Sequence, residues 1–304
     1  MKLNDKTKIL ITGGGGMLGD AFYHTLKNKY ILKATDIDLN EEWLDFLDVR
    51  NFNQYQEIVH EFNPEIILHL AALTDLEYCE KNISHTYLTN TISVENAVTL
   101  AKQVGATLVY ISTAGIFDGQ QEFYDDWSQP NPINAYGRSK YMGEIYVEKN
   151  MDKYFVFRAG WMMGAGKLKD KKFVNKIVKQ IENGTKELNV VDDKLGTPTY
   201  TYDFAKNVIG MLETKFSGIY NLVCEEDCSR YDVACEMLKI FNLDNQIKVR
   251  KVKSAYFEEE YFAPRPASEK LLCKKLKYRG KYLMSDWKTS LKIYLNNSYS
   301  DYIL

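Results

Sequence analysis

The chain has 304 residues, 45% of them hydrophobic, which is enough for a sizeable core in one large domain or two smaller ones. A formal net charge of -2 excludes a global basic field for nucleic acid, and the acidic excess is too small to keep the chain disordered. No run approaches the roughly 18 to 20 apolar residues that span a bilayer, and the polar first eight residues read as neither signal nor transit peptide, so a cytoplasmic protein is expected.

Lys8-Ile-Leu-Ile-Thr12 is a short apolar run that predicts a strand. It stops at the cluster Gly13 to Gly16, and Met17 to Lys27 follows with Leu18, Ala21, Phe22 and Leu26 at helical spacing. Gly13-Gly-Gly-Gly16-Met-Leu-Gly19 is therefore a G-x-x-G-x-x-G pattern between a strand and a helix, the context a dinucleotide-binding turn requires. Gly13 and Gly16 permit the tight turn and a close approach to pyrophosphate, Gly19 lets the helix pack on the strand, and the helix N-terminus offers free N–H groups to the anion. A second strand, Ile31 to Thr35, ends at Asp36, about where a carboxylate meets the adenosine ribose. Such a carboxylate bonds the 2′-hydroxyl and repels a 2′-phosphate. No arginine follows it and Asp38 adds a second negative charge, which favours NAD(H) while leaving NADP(H) open; Asp38 could equally hold the ribose. Asp48 and Val49 lie where a later loop would cover the adenine.

A helix around Tyr55 to Phe62, a strand Ile66 to Leu70, a helix over residues 86 to 104, and strands Thr107 to Ile111 and Tyr154 to Arg158 continue the alternation. Short apolar strands alternating with helices predict an α/β fold, a doubly wound parallel Rossmann sheet covered on both faces. After Arg158 the rhythm breaks. Helices are predicted for Phe173 to Glu182, Asp203 to Glu213 and Tyr231 to Phe241, with a strand over Gly218 to Val223. Residues 1–160 are accordingly read as an NAD(P)-binding domain and 161–304 mainly as a smaller C-terminal α/β substrate-binding lobe, with elements near 200–223 returning to the first domain.

Tyr136-Gly-Arg-Ser-Lys140 carries the chemistry. The i, i+4 spacing stacks phenol and ammonium on one helix face. A neighbouring cation favours the phenolate, which would let Tyr136 exchange a proton with a substrate oxygen near neutral pH. Lys140 would also hold the nicotinamide ribose, and the strand ending in Ser112-Thr113 delivers a hydroxyl to the same carbonyl. Trp161 lies just past the fifth strand, at the carboxyl edge where ligands bind in such sheets. Arg265 sits between two prolines that fix its backbone, whereas most lysines in the basic stretches 167–176, 248–253 and 270–281 read as solvated faces. The five cysteines form no C-x-x-C pair and all four histidines lie within the first 85 residues, so no metal site is expected.

These residues resemble the extended short-chain dehydrogenases and, within them, the dTDP-4-dehydrorhamnose reductase family. The similarity runs through Thr12 to Gly19, Leu47-Asp-Val-Arg50, Ala71-Ala-Leu-Thr-Asp75, Asn90, Ser112 to Gly119 and Tyr136 to Glu144. It continues through Arg158-Ala-Gly-Trp161, Val190 to Thr199, Arg265-Pro-Ala-Ser268 and Ser285-Asp-Trp287 before a last helix. The resemblance implies Thr113, Tyr136 and Lys140 as the catalytic set, with hydride passing from nicotinamide to C4 of a nucleotide-linked 4-keto-6-deoxyhexose, as in deoxysugar biosynthesis. It places Gly13, Gly16, Met17, Leu18, Asp36, Asp48, Val49, Ala71 and Ala72 at the cofactor, and Thr74, Ala114, Trp161, Phe173 and Arg265 at the nucleotide-sugar substrate. A homodimer is compatible with it, since some family members dimerise around magnesium, and the resemblance assigns no magnesium ligands to particular residues here. Two departures stand out: Ala114-Gly115 where the family usually has Asp-Tyr, and Lys172 where it commonly has Asn. A 4,6-dehydratase is disfavoured because Ala114-Gly115 supply neither acid nor base. A nucleotide-sugar 4-epimerase keeps the same Thr, Tyr and Lys, and a non-catalytic role like that of the methionine adenosyltransferase regulatory subunit is the alternative from another class.

Overall fold

The computed structural model describes residues 3–302. Six strands come early: β1 (Lys8–Thr12), β2 (Ile31–Asp36), β3 (Leu44–Phe46), β4 (Ile66–His69), β5 (Thr107–Thr113) and β6 (Tyr154–Ala159). Four short ones follow, β7 (Trp161–Met163), β8 (Glu187–Val191), β9 (Leu195–Gly196) and β10 (Pro198–Tyr200), before β11 (Gly218–Leu222) returns to the sheet. β12 (Cys228–Ser229) and β13 (Lys248–Val252) complete the set. The main sheet has seven strands in the order β11-β6-β5-β4-β1-β2-β3, and every pairing in it is parallel. The direction of winding reverses between β1 and β4. A crevice opens there at the carboxyl ends of the strands, the place where doubly wound sheets bind ligands.

Alternation along the strands divides the core. Ile9, Ile11, Ile66, Leu68, Val109, Phe155 and Phe157 point to one face, while Leu10, Ile67, Leu108, Tyr110 and Val156 point to the other. The second face is covered by α2 (Phe52–Phe62), α5 (Ser93–Val104) and α6 (Ala135–Asn150), and the first by α1 (Met17–Leu26) and α9 (Thr201–Leu212), following α3 (Leu76–Lys81), α4 (Ile83–Tyr87), α7 (Gly166–Lys169) and α8 (Phe173–Glu182) in the labelling. The first-face cluster runs on without a break into Val174, Leu188, Met237 and Leu291, so the C-terminal elements share its core. They include α10 (Arg230–Ile240), α11 (Lys274–Tyr278) and α12 (Trp287–Ser298). Among the described residues no helix is long and apolar enough to cross a membrane.

The helix read over residues 86 to 104 is interrupted. Between α4 and α5 the chain makes a π-helical turn, Leu88–Ile92. Periodicity alone misses it, since one inserted residue leaves the apolar face of α5 intact. Its cause is polar: the buried Asn90 side chain takes the Leu73 N–H at 2.8 Å and donates to the Leu73 carbonyl at 3.0 Å and Ser139 Oγ at 3.1 Å. Such bulges occur where one side chain must be re-aimed.

α6 is held by a buried ion pair. Arg158 of β6 reaches Glu144 at 2.5 Å, with both side chains almost fully buried. Removing one partner of such a pair leaves an uncompensated buried charge and costs about 3–5 kcal/mol.

His69, at the end of β4, is enclosed between Thr12 Oγ1 and Ser93 Oγ, each 3.1 Å from a ring nitrogen. Burial, helped by the Lys140 charge, pushes its pKa down to about 3. The folded protein therefore keeps this imidazole neutral while the unfolded chain takes up a proton below about pH 6.5. Stability should be fully present above that value and fall as pH drops, by up to about 1.4 kcal/mol per unit. Urea unfolding between pH 7.5 and 5 tests this: wild type should lose stability, and His69→Gln should show a shallower slope.

Candidate active site

One cleft of about 1520 Å³ runs along the carboxyl end of the sheet. At one end lies the glycine loop. Gly13 has φ +75°, and a Cβ there would stand 2.5 Å from the Ala71 backbone nitrogen, so only glycine fits the turn beneath β4. Gly19 faces the Gly14 carbonyl at a distance that admits no side chain, which lets α1 seat on β1. α1 has no side-chain cap at Gly16, so its first N–H groups remain open to the cleft. An uncapped helix start above a glycine turn fits a dinucleotide pyrophosphate. Asp36 closes the loop, its Oδ2 accepting the Gly15 N–H at 2.9 Å and its Oδ1 the Asp38 N–H at 3.1 Å. Met17, Leu18, Asp48, Val49, Ala71 and Ala72 also line the cleft. Arg50 grips Asp48 with a two-pronged contact, 2.7 Å on each side, and also meets His85.

Thr113, Tyr136 and Lys140 meet in the middle. The start of α6 is built by its neighbours: Asn134 accepts the Gly137 N–H at 2.7 Å, and Glu80 accepts that of Ala135 at 2.5 Å. Gly137 is needed because a Cβ would collide with the Gly115 carbonyl at 2.3 Å, and this close approach sets Tyr136 beside Thr113. Thr113 Oγ1 accepts the Gly115 N–H at 3.1 Å, leaving its own hydrogen to donate.

The electrostatics differ from the expectation that Lys140 would draw Tyr136 toward the phenolate. Burial pushes the Tyr136 phenol up to about 12, Thr113 opposes this, and Cys79 and Glu269 add to it. Burial brings Lys140 down to about 7, partly offset by Glu144. Desolvation outweighs the i, i+4 pairing because both groups lose water. The Lys140 ammonium lies 4.2 Å from the Tyr110 ring centroid, and among the described residues no carboxylate comes within ion-pair distance of it. A protonated phenol beside a loosely held ammonium can donate a proton to a substrate oxygen and bind a ribose hydroxyl.

The far end of the cleft is more polar than the sequence suggested. Thr74, Trp161, Phe173 and Arg265 line it, but Ala114 does not. Ala114 packs with Ile116, Phe117 and Tyr124 because the 3₁₀ turn Ala114–Ile116 points it inward, and Gly115 takes the cleft-facing place. Arg265 is engaged by both oxygens of Glu77, at 2.7 and 2.9 Å. Lys172 crosses the cleft to Thr74, 3.1 Å from both its carbonyl and its hydroxyl. Arg230 and Glu269 also line it and lie outside every sequence motif described above. The Arg230 guanidinium stacks 3.7 Å above the Trp161 ring, and burial lowers its pKa to about 10. Glu269 accepts the Trp161 indole N–H at 2.7 Å. The one available signal was the Ser229–Asp232 capping box, which fixes Arg230 at the start of α10. Among the described residues no cluster of His, Cys, Asp or Glu could hold a metal ion.

A family model described as the RmlD substrate binding domain matches residues 7–300. The chain belongs to this family. It is similar to the spore coat polysaccharide biosynthesis protein SpsK of Bacillus subtilis, 31% identical over 95% of this chain and 97% of that protein. It is 28% identical to methionine adenosyltransferase 2 subunit beta of Xenopus laevis, over 90% of this chain and 82% of the other. A solved dTDP-4-dehydrorhamnose reductase from Bacillus anthracis, in complex with NADP, superposes with a TM-score of 0.88 at 31% identity, covering 96% of this chain and all of that one. Family, fold and glycine loop agree on a nicotinamide dinucleotide as cofactor.

Lys140 should make binding of that cofactor pH-dependent. A ribose that hydrogen-bonds the ammonium raises the lysine's pKa in the complex, so affinity is flat below about pH 7 and declines as pH rises above it. Fluorescence titration with NADH from pH 6 to 9 should show this decline in wild type and none in Lys140→Met. A flat wild-type profile contradicts the assignment.

Proposed function

We propose that this protein reduces the C4 ketone of a nucleotide-linked 4-keto-6-deoxyhexose, using NAD(P)H. The observation that carries this reading is the meeting of Thr113, Tyr136 and Lys140 with an uncapped glycine-loop helix in a single cleft, within a chain of the RmlD family. A bound dihydronicotinamide supplies the hydride. Thr113 donates a hydrogen bond to the ketone oxygen and orients it. Tyr136, protonated over the whole physiological range, gives its proton to that oxygen as negative charge builds there. Lys140 holds the nicotinamide ribose and stabilises the phenolate left behind. Arg230, seated on Trp161 with no ion-pair partner among the described residues, is the cation for the diphosphate, aided by Lys172. A weakly hydrated guanidinium is suited to this task.

NAD(H) is the proposed cofactor form. Asp36 presents a carboxylate already oriented by two backbone N–H groups, Asp38 adds charge beside it, and Arg50 is committed to Asp48. A 2′-phosphate would meet that repulsion, with Arg50 already held by Asp48.

Two measurements test these readings. NADH oxidation at 340 nm with a panel of dTDP-, UDP- and GDP-linked 4-keto-6-deoxyhexoses should show turnover that Tyr136→Phe reduces by about a hundredfold or more, the scale of lost general-acid catalysis. Turnover with none of them, despite NADH binding, contradicts the reductase. Separately, kcat/KM with NADH should exceed that with NADPH, and Asp36→Asn should narrow the gap at least fivefold; an NADPH preference in wild type refutes the cofactor assignment.

A further inference from the structure

The position vacated beside Thr113 is not empty of chemistry. Gly115 carries no side chain, and a Cβ built on it would lie 3.4 Å from Thr113 Oγ1 and 3.6 Å from Glu269 Oε1. A carboxylate from a distant part of the chain thus lies in van der Waals contact with the place where a side chain at position 115 would begin. Backbone and side-chain contacts hold it in place. The Glu269 N–H donates to the Leu195 carbonyl at 2.8 Å, the preceding Ser268 pairs with Leu195 in a parallel bridge, and the Trp161 indole holds Oε2 at 2.7 Å. That leaves Oε1 facing the Thr113–Gly115 turn. Arg230 lies over the face of the same indole, 3.7 Å from its ring centroid.

We infer that Glu269 is a specificity residue whose free oxygen accepts a hydrogen bond from the sugar hydroxyl next to the reacting ketone. This rests on the reading of the site as a sugar-nucleotide 4-ketoreductase. An ionised carboxylate only accepts hydrogen bonds, so the ketone oxygen, itself an acceptor, cannot be its partner. The ketone is served by Thr113 and Tyr136, both donors. In a 4-keto-6-deoxyhexose the ketone is flanked by a hydroxyl at C3 and a methyl-bearing carbon at C5, and only the hydroxyl can satisfy an anionic acceptor. Gly115 and Glu269 act together: a large residue at 115 would push the carboxylate out.

The test is calorimetric binding of dTDP-rhamnose, its 3-deoxy analogue and dTDP alone, with NADH binding measured on the same preparations. Wild type should bind dTDP-rhamnose more tightly than dTDP. Glu269→Gln should weaken dTDP-rhamnose relative to dTDP by about ten- to a hundredfold, the range for a hydrogen bond to a charged group, and leave NADH unchanged. The 3-deoxy analogue should bind wild type and Glu269→Gln alike. Gly115→Tyr should reproduce the loss. Because the glutamine retains an oxygen for the Trp161 indole, wild-type affinity in Glu269→Gln with a loss only in Glu269→Ala would reduce Glu269 to a support for Trp161 and overturn the inference. Equal losses for dTDP and dTDP-rhamnose would also overturn it, as would Glu269-dependent uptake of deuterium from D₂O at a carbon next to the ketone, which would make the residue a base. The two readings fail separately: sugar-dependent binding without turnover sinks the reductase alone, whereas turnover insensitive to Glu269→Gln sinks only the hydroxyl contact.

Discussion

The structure depends on the burial of a polar helix face. Tyr136, Lys140 and Glu144 recur every four residues along α6; Lys140 and Glu144 are buried where an ordinary helix would place leucines, and Tyr136 opens onto the cleft. Each polar group on that face needs a partner, and the surroundings supply them. Arg158 neutralises Glu144, the Tyr110 hydroxyl donates to the Lys140 carbonyl at 3.0 Å while its ring lies beside the ammonium, and Thr91 and Asn90 satisfy Ser139. The π-helical turn and the histidine buried on β4 belong to the same polar layer. The site is held because these buried polar groups pair in specific arrangements, while the Lys140 ammonium is left open toward the cleft.

That layer also decides the chemistry. Burial raises Tyr136 and lowers Lys140, in both cases disfavouring charge. The phenol is left as a proton donor, and the ammonium is completed by what binds next to it. Reduction of a ketone needs that polarity: a proton delivered to oxygen as hydride arrives at carbon, with a nearby cation to accept the resulting phenolate.

The first half of the fold was legible because its strands and helices carry their own signals, an apolar run against a 3.6-residue stripe, and the glycine loop falls at their junction. Helix Phe173–Glu182 was readable in the C-terminal part for the same reason. What was hidden lacks local periodicity. The three-residue strands at Leu44–Phe46 and Trp161–Met163 are too short to show alternation, and they exist because a neighbouring strand pairs with them. In the site, the catalytic set could be read from spacing, whereas Arg230, Glu269 and Glu77 act through partners far off in sequence: Glu77 with Arg265, and Glu269 with Trp161. Position 114 misled because a turn that faces one residue into a cleft faces its neighbour into the core.

The central claim is that hydride leaves the nicotinamide and stays on C4 of the sugar. Its most direct test is a reaction with NADH carrying deuterium at both positions of nicotinamide C4, followed by NMR of the recovered nucleotide sugar. The account predicts one deuterium at the sugar's C4 for each cofactor oxidised. Unlabelled sugar with the cofactor still reduced would contradict it.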